Sequence, residues 1–294
     1  MAILSKRQLW ILLFIGLMAI SSSAVLVRMA HAPAVAIAAY RLTIAAFLLL
    51  LSRPRSLLTA TAQLTPRIFF LSLVSGAALA IHFIAWIQSL VFTTISTSVV
   101  LLSTAPFFVA LLGWLFLRER VRLQFYFAVI VAIIGMAVVT YDDSTQPDGS
   151  ALGNALALLG AAGLAGYLVS GKLVQKHISS MNYAVLSYSS AAGFVLICSY
   201  FSDTQLRGFT SETYVFLVLI ALVPQLLGHT SFNVALHYFT APFVAAIMLG
   251  EPVLATILGA IFLNEIPAIS QIVGCTIILV GVFMVIRAEH QPGA

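Results

Sequence analysis

Long apolar runs without a charged residue alternate with short charged stretches along the whole chain. No Lys, Arg, Asp or Glu lies between Arg67 and Arg118, or between Glu212 and Glu251. A bilayer core about 30 Å thick is crossed by about 20 apolar helical residues, so each of these runs holds two spans. The pattern predicts an all-α polytopic membrane protein with ten transmembrane helices, at residues 8–27, 34–51, 68–90, 97–117, 123–141, 151–171, 182–201, 213–235, 242–263 and 268–286.

Composition and the placement of charge support this topology. The 294 residues are 62% hydrophobic and 8% charged, with a mean hydropathy of +1.10. A soluble domain is roughly 25% charged, so a soluble enzyme, a nucleic-acid-binding domain and a disordered chain are excluded. With ten spans, eleven basic residues lie on the side of the termini and two on the other side, which predicts cytoplasmic termini. The net charge of +5 is therefore a topology signal and implies no anionic or nucleic-acid partner.

The chain repeats itself at a nearly constant offset. A shift of 146 residues superposes Pro106 on Pro252 and Gly135 on Gly281, and a shift of 147 superposes His82 on His229. The offset predicts two repeats, residues 1–145 and 146–294, with five helices each. Because five is odd, the repeats enter the membrane in opposite directions. Inverted repeats are typical of secondary transporters that work by alternating access, with the solute bound near the midplane.

The motif that ends the fourth and ninth predicted helices carries a family resemblance. It reads Pro-x12-Glu at Pro106–Glu119 and again at Pro252–Glu265, and the second helix contains AIAAYRLTIAA with Arg41. With ten spans in two halves, the chain resembles the EamA-type branch of the drug/metabolite transporter superfamily and is most similar to YddG-type amino-acid exporters. The resemblance implies an exporter of aromatic and other neutral amino acids, multi-pass in a bacterial inner membrane. It implies no cofactor, and it leaves the oligomeric state open, a monomer included.

Polar side chains inside the spans are the candidates for solute binding, since a polar group deep in a membrane costs free energy. On the third helix His82 and Trp86 share a face, and on the eighth Gln225, His229 and Asn233 are successive i+4 neighbours. Aromatic side chains well inside their spans add walls suited to an amphipathic solute. The alternative is that these groups only hydrogen-bond neighbouring helices. The predicted substrate-binding residues are Tyr40, His82, Trp86, Tyr167, Gln225, His229 and Asn233.

Three prolines inside spans are predicted to be hinges for gating. Pro106 and Pro252 occupy equivalent places in the repeats, and Pro224 precedes Gln225 on the eighth helix. A proline removes a backbone hydrogen bond and bends the helix. The alternative is a fixed bend needed for packing.

Arg41 and Glu251 are the charged residues inside predicted spans. We expect a structural role for both, either as a pair or with Arg41 bound by carbonyls at helix ends. The alternative is that Arg41 binds a substrate carboxylate or that Glu251 carries a proton.

Two other functions stay open on the sequence. The first is export of another small metabolite or drug within the same superfamily, although the first helix lacks the glutamate with which the small multidrug relatives exchange cation for proton. The second is an intramembrane enzyme. No HExxH motif occurs and no Asp lies in a predicted span, so the sequence predicts no catalytic residue and no metal site.

Overall fold

The computed structural model describes residues 4–52, 64–92, 95–139, 151–262 and 267–289, and these residues are helical with short connections. Nine described helices are long and apolar enough to cross a membrane, and the shorter helix Leu123–Val139 is the tenth. We number the spans 1 to 10 in chain order. Their helical segments, with spans separated by semicolons, are Lys6–Ser21 and Ser23–Ala30; Ala34–Ser52; Pro66–Phe92; Ile95–Leu102, Ala105–Leu112 and Gly113–Leu117; Leu123–Val139; Ala151–Val174; Ser180–Phe201; Ser211–Ile220, Ala221–His229 and Thr230–Tyr238; Ala241–Ile247, Met248–Gly250 and Glu251–Phe262; Ile269–Glu289. The all-helical fold class and the ten predicted spans are confirmed.

The chain forms two compact units, and each draws on both halves of the sequence. The first unit comprises Met1–Ile84 and Gly166–Tyr238, and the second comprises Ala85–Ala165 and Phe239–Ala294. Each unit therefore contains spans that are equivalent under the repeat offset. We describe the units separately.

In the second unit, spans 5 and 10 pack closely through glycines. A Cβ added at Gly135 would lie 2.7 Å from the backbone nitrogen of Ile278, and one added at Gly281 would lie 2.7 Å from that of Ala132. One added at Gly274 would lie 2.5 Å from the nitrogen of Val139. Small residues permit this approach of two backbones within a membrane, where packing replaces the hydrophobic effect as the force that joins helices.

This contact also shows how the repeats are oriented. As residue numbers rise from Ala132 to Val139 along span 5, the contacted residues fall from Gly281 to Gly274 along span 10, so the two helices are antiparallel. The contact of Gly135 with Ile278 becomes that of Gly281 with Ala132 when each residue is moved by 146 positions. When a contact between two repeats has its repeat equivalent in the same structure, the two repeats are related by a twofold axis. Equivalent spans that run in opposite directions are what inverted repeats require.

Spans 4 and 9, also in the second unit, are both interrupted next to a proline. Span 4 breaks at a turn over residues 103–104, and span 9 passes through the 3₁₀ segment Met248–Gly250. Pro106 and Pro252 are each the second residue of the helical segment that follows. The sequence placed both prolines in mid-helix, whereas the structure places each in the first turn of a new segment. A proline is tolerated there because its missing N–H would have no intrahelical partner.

In the first unit, Pro224 changes the winding of span 8. The nine residues Ala221–His229 form a π-helix with Pro224 inside it, and the N–H of Thr230 donates to the carbonyl of Gln225. Proline lacks the N–H that an α-helix would donate to the carbonyl of Ile220, so the wider turn re-pairs the backbone. Gly228 of this segment lies against Ile20 of span 1, where an added Cβ would come within 2.6 Å of the Ile20 side chain. The predicted irregularity at Pro224 therefore takes the form of a π-helix.

The packing of spans 5 and 10 predicts opposite effects for two Gly→Ala substitutions. Gly281→Ala places a methyl group against the backbone of Ala132 and should lower the free energy of unfolding by about 2 kcal/mol, as overpacking does. Gly193→Ala on span 7, where an added Cβ meets nothing within 4 Å, is the matched control. It should leave the melting temperature in detergent unchanged or raise it, since Ala favours helix by up to about 1 kcal/mol. Equal melting temperatures for the two variants would contradict the packing described for Gly281.

Candidate functional site

Arg41 is the centre of a buried cluster in the first unit, together with Ser23, Phe83 and Gln225; we call these four residues the arginine cluster. The Arg41 side chain is 1% exposed. Its Nε donates to Gln225 Oε1 at 2.7 Å and its Nη1 to Ser23 Oγ at 3.0 Å. The guanidinium carbon lies 4.0 Å from the centre of the Phe83 ring. These contacts tie spans 1, 2, 3 and 8 together through side chains of Ser23, Phe83 and Gln225. Glu251 begins the last segment of span 9 and is half-buried.

Two histidines lie beside the arginine cluster. The rings of His82 and His229 are 6.4 Å apart, centre to centre, and both side chains are buried at 4% and 5% exposure. The Phe83 ring meets His229 edge to face at 5.3 Å. His82 and His229 are equivalent under the offset of 147 residues. Two equivalent residues can meet in this way only near the axis that relates their repeats.

A second group of hydrogen bonds surrounds Asn233 in the same unit; we call Tyr167, Tyr183, Tyr188, Thr230 and Asn233 the tyrosine cluster. The Tyr167 hydroxyl donates to Asn233 Oδ1 at 2.7 Å, and Asn233 Nδ2 donates to the Tyr188 hydroxyl at 3.2 Å. Tyr188 also shares a hydrogen bond with Thr230 at 3.2 Å, and the Tyr183 hydroxyl donates to the Tyr167 carbonyl at 3.1 Å. All five side chains are buried. The cluster joins spans 6, 7 and 8.

The structure does not bring all of the predicted substrate-binding residues together. Gln225 belongs to the arginine cluster, with His82 and His229 beside it, and Tyr167 and Asn233 belong to the tyrosine cluster. Tyr40 lies apart, half-buried, where its hydroxyl donates to the Leu206 carbonyl at 2.8 Å. Trp86 belongs to the second unit, where its backbone and Cβ lie against Gly160 of span 6.

Phe83, Tyr188 and Thr230 belong to the two clusters but not to the predicted substrate-binding set, although Tyr188 is one of the aromatic residues well inside their spans. The repeat offset relates these residues to one another and to Arg41. Moved by 147 residues, Arg41 becomes Tyr188 and Phe83 becomes Thr230. The contact between Arg41 and Phe83 is therefore the repeat equivalent of the contact between Tyr188 and Thr230. The chemistry of the two pairs differs, so a comparison of residue types alone does not detect the match.

The described residues contain no group of three or more His, Cys, Asp and Glu that could hold a metal ion. The polar groups that the arginine and tyrosine clusters offer are carboxamides, hydroxyls and a guanidinium, with imidazoles alongside. Such groups bind solutes through hydrogen bonds and charge. The arrangement is suited to recognition of a small polar molecule.

Comparison with known proteins identifies the family. The model of the EamA-like transporter family matches residues 8–141 and again residues 151–287. The chain belongs to the EamA-like transporter family. The two matches to this EamA-like transporter fall on either side of the boundary near residue 145 that the repeat offset predicts.

The relatives of this EamA-like transporter are transporters by name. An uncharacterized transporter of Archaeoglobus fulgidus is 25% identical over 191 residues, which cover 64% of this chain and 66% of that protein. The uncharacterized transporter YwfM of Bacillus subtilis is 23% identical over 214 residues, covering 69% and 70% of the two chains. The match to the archaeal relative thus spans just under two thirds of its length. A solved crystal structure shares the fold, with a TM-score of 0.80 at 15% identity over 97% of this chain and 98% of the other.

The arginine cluster predicts a stability cost for the loss of Gln225. Gln225→Leu keeps the side-chain volume and leaves the Nε–H of Arg41 without the Gln225 acceptor, which should lower the free energy of unfolding by about 2 kcal/mol. Gln205→Leu, at an exposed position after span 7, is the matched control and should leave stability unchanged. Thermal unfolding in detergent measures both variants. A melting temperature for Gln225→Leu equal to that of the control would show that this hydrogen bond contributes nothing.

Proposed function

We propose that this EamA-like transporter exports aromatic and other neutral amino acids across the inner membrane of a bacterium by alternating access. Its moving parts are the two inverted repeats, residues 1–145 and 146–294, with both chain termini in the cytoplasm. The observation that carries the proposal is the meeting of His82 and His229, which are repeat equivalents, inside a buried polar cluster.

The position of the two histidines supports a solute site at the interface of the repeats. His82 comes from the first repeat and His229 from the second, and both lie far from the ends of spans 3 and 8. In transporters built from inverted repeats, the solute binds near the bilayer midplane where the repeats meet. A site on the axis that relates the two repeats presents equivalent groups to both sides of the membrane. The inward-open and outward-open conformations can therefore bind the same solute at similar free energy.

The chemistry of the site favours an amphipathic solute. The imidazoles and the Gln225 and Asn233 carboxamides supply hydrogen bonds for an amino and a carboxylate group. The rings of Phe83, Tyr167 and Tyr188 supply an apolar wall for a side chain. A neutral amino acid combines both parts.

Access to the site requires movement, because its side chains are buried in this structure. The π-helix around Pro224 carries Gln225 and His229 and is the hinge nearest to them. The breaks before Pro106 and Pro252 are hinges in spans 4 and 9. Interrupted helices and π-segments in membrane transporters commonly mark the site of binding and movement.

Counterflow in proteoliposomes tests the proposed substrate class. Vesicles loaded with unlabelled amino acid should accumulate the radiolabelled compound, with phenylalanine, tryptophan and leucine as the first panel. His229→Ala should lower the initial rate about tenfold or more, since it removes a polar group from the solute site, and His82→Ala should do the same.

Matched controls separate the site from general damage. His237→Ala changes an exposed histidine of the same span, and Phe70→Ala changes an aromatic residue that is 62% exposed on span 3. Both should retain the wild-type rate. If the wild type gives no counterflow of any neutral amino acid, the proposed substrate class is wrong, and the panel passes to other small metabolites and drugs. If the controls lose as much as the site variants, the site assignment is wrong.

A further inference from the structure

Glu119, the last residue of the Pro-x12-Glu motif in the first repeat, reaches another span. Its Oε2 accepts a hydrogen bond from the backbone N–H of Ala241 at 3.1 Å. Glu119 follows span 4 and Ala241 begins span 9, and both belong to the second unit. The carboxylate therefore links the end of one interrupted span to the start of the other.

The chain around Glu119 is shaped for this contact. Span 4 ends in the π-helical turn Gly113–Leu117, after which Arg118 takes the left-handed conformation with φ 59°. The reversal lets the N–H of Glu119 donate to the carbonyl of Gly113 at 3.1 Å. A Cβ added at Gly113 would lie 3.6 Å from Glu119 Oε2 and 3.7 Å from Pro242 Cγ. The turn thus folds the carboxylate back over Gly113 toward span 9.

The start of span 9 needs an acceptor from elsewhere. Thr240 stands at the N-cap of Ala241–Ile247 and makes no side-chain capping bond, and Pro242 has no N–H. The N–H of Ala241 is one of the first-turn donors that a helix leaves without an internal partner. A carboxylate is favoured at this end because the bond is charge-assisted and the helix dipole is positive there.

We propose that Glu119 is a positioning residue of a cytoplasmic gate. The gate consists of Ala105–Leu117 of span 4 and Ala241–Ile247 of span 9, each of which lies between a chain break and the cytoplasmic end of its span in the proposed topology. The Glu119 carboxylate holds these two segments together while the cytoplasmic side is closed and releases Ala241 when that side opens. This inference rests on the alternating access of the proposed function.

The motif that ends in Glu119 recurs in the second repeat. Glu265 ends the same motif there and lies outside the described residues. Its sequence position places it at the opposite face of the membrane in the proposed topology.

Cysteine labelling tests the gate without any solute. In a background with Cys198 and Cys275 replaced by Ser, Ala245→Cys places a single thiol on the span 9 segment, at a position 3% exposed. A membrane-impermeant maleimide is applied to inside-out and to right-side-out vesicles. Glu119→Ala should raise the labelling rate from the cytoplasmic side about tenfold, which is the shift in an opening equilibrium that one charge-assisted hydrogen bond accounts for. Labelling from the other side should not rise.

Two further variants guard against an effect on folding alone. Glu119→Gln keeps an acceptor oxygen without the charge, so its labelling rate should lie between those of the wild type and Glu119→Ala. Glu212→Ala removes an exposed carboxylate from the first turn of span 8 and should leave the rate unchanged. If Glu119→Ala does not fold, the gate is tested by comparing the labelling rates of Glu119→Gln and Glu212→Gln. Only Glu119→Gln should raise the rate from the cytoplasmic side.

An unchanged rate, or an equal rise from both sides of the membrane, overturns the gate. Because no solute is present, the result is independent of substrate identity. A raised labelling rate without amino-acid counterflow supports the gate and rejects the proposed substrate class. Counterflow with an unchanged labelling rate supports the substrate class and rejects the gate.

Discussion

The hydrocarbon core offers no hydrogen-bond partner, so a polar group inside the spans is stabilised by partners within the protein. Arg41 is the most demanding case, since its guanidinium is buried in a 1% exposed position. Ser23 and Gln225 accept from it and Phe83 lies under its face, which brings side chains from four spans to one place. Asn233 imposes the same requirement on Tyr167 and Tyr188. These hydrogen bonds of Arg41 and Asn233 bring spans 1, 2, 3, 6, 7 and 8 of the first unit together.

The backbone is under the same constraint wherever a helix is interrupted. Pro224 cannot donate a hydrogen bond, and the π-helix around it re-pairs the chain so that Thr230 bonds the Gln225 carbonyl. Pro224, Gln225 and His229 are buried in protein, where irregular backbone is tolerated at membrane depth. At the start of span 9 the missing partner comes from the Glu119 carboxylate. In spans 8 and 9, each irregular segment therefore lies next to the group that accepts its otherwise unpaired N–H. We expect these segments to be the ones that move during transport.

The repeat offset gives these contacts their pairwise form. Gly135 packs on Ile278 as Gly281 packs on Ala132, and both contacts are close approaches of backbone. Arg41 meets Phe83 where, one repeat later, Tyr188 meets Thr230. The first pair of contacts keeps its glycine, because an added Cβ would meet the partner backbone at both places. The second pair has diverged, since a cation on a ring and a hydroxyl pair can each fill the same place.

The membrane class, the ten apolar helices, the repeat offset and the irregular places in spans 4, 8 and 9 were all predictable from the sequence. These properties follow from local hydropathy and from the missing N–H of proline, which act without reference to the rest of the chain. The partners were decided by the tertiary structure. Gln225 was predicted as a solute ligand and accepts a hydrogen bond from Arg41, the Tyr40 hydroxyl donates to a loop carbonyl, and the Glu119 carboxylate accepts from the N–H of Ala241. A buried polar group takes the partner that packing brings within about 3 Å, and side chains more than a hundred residues apart meet only when the spans assemble.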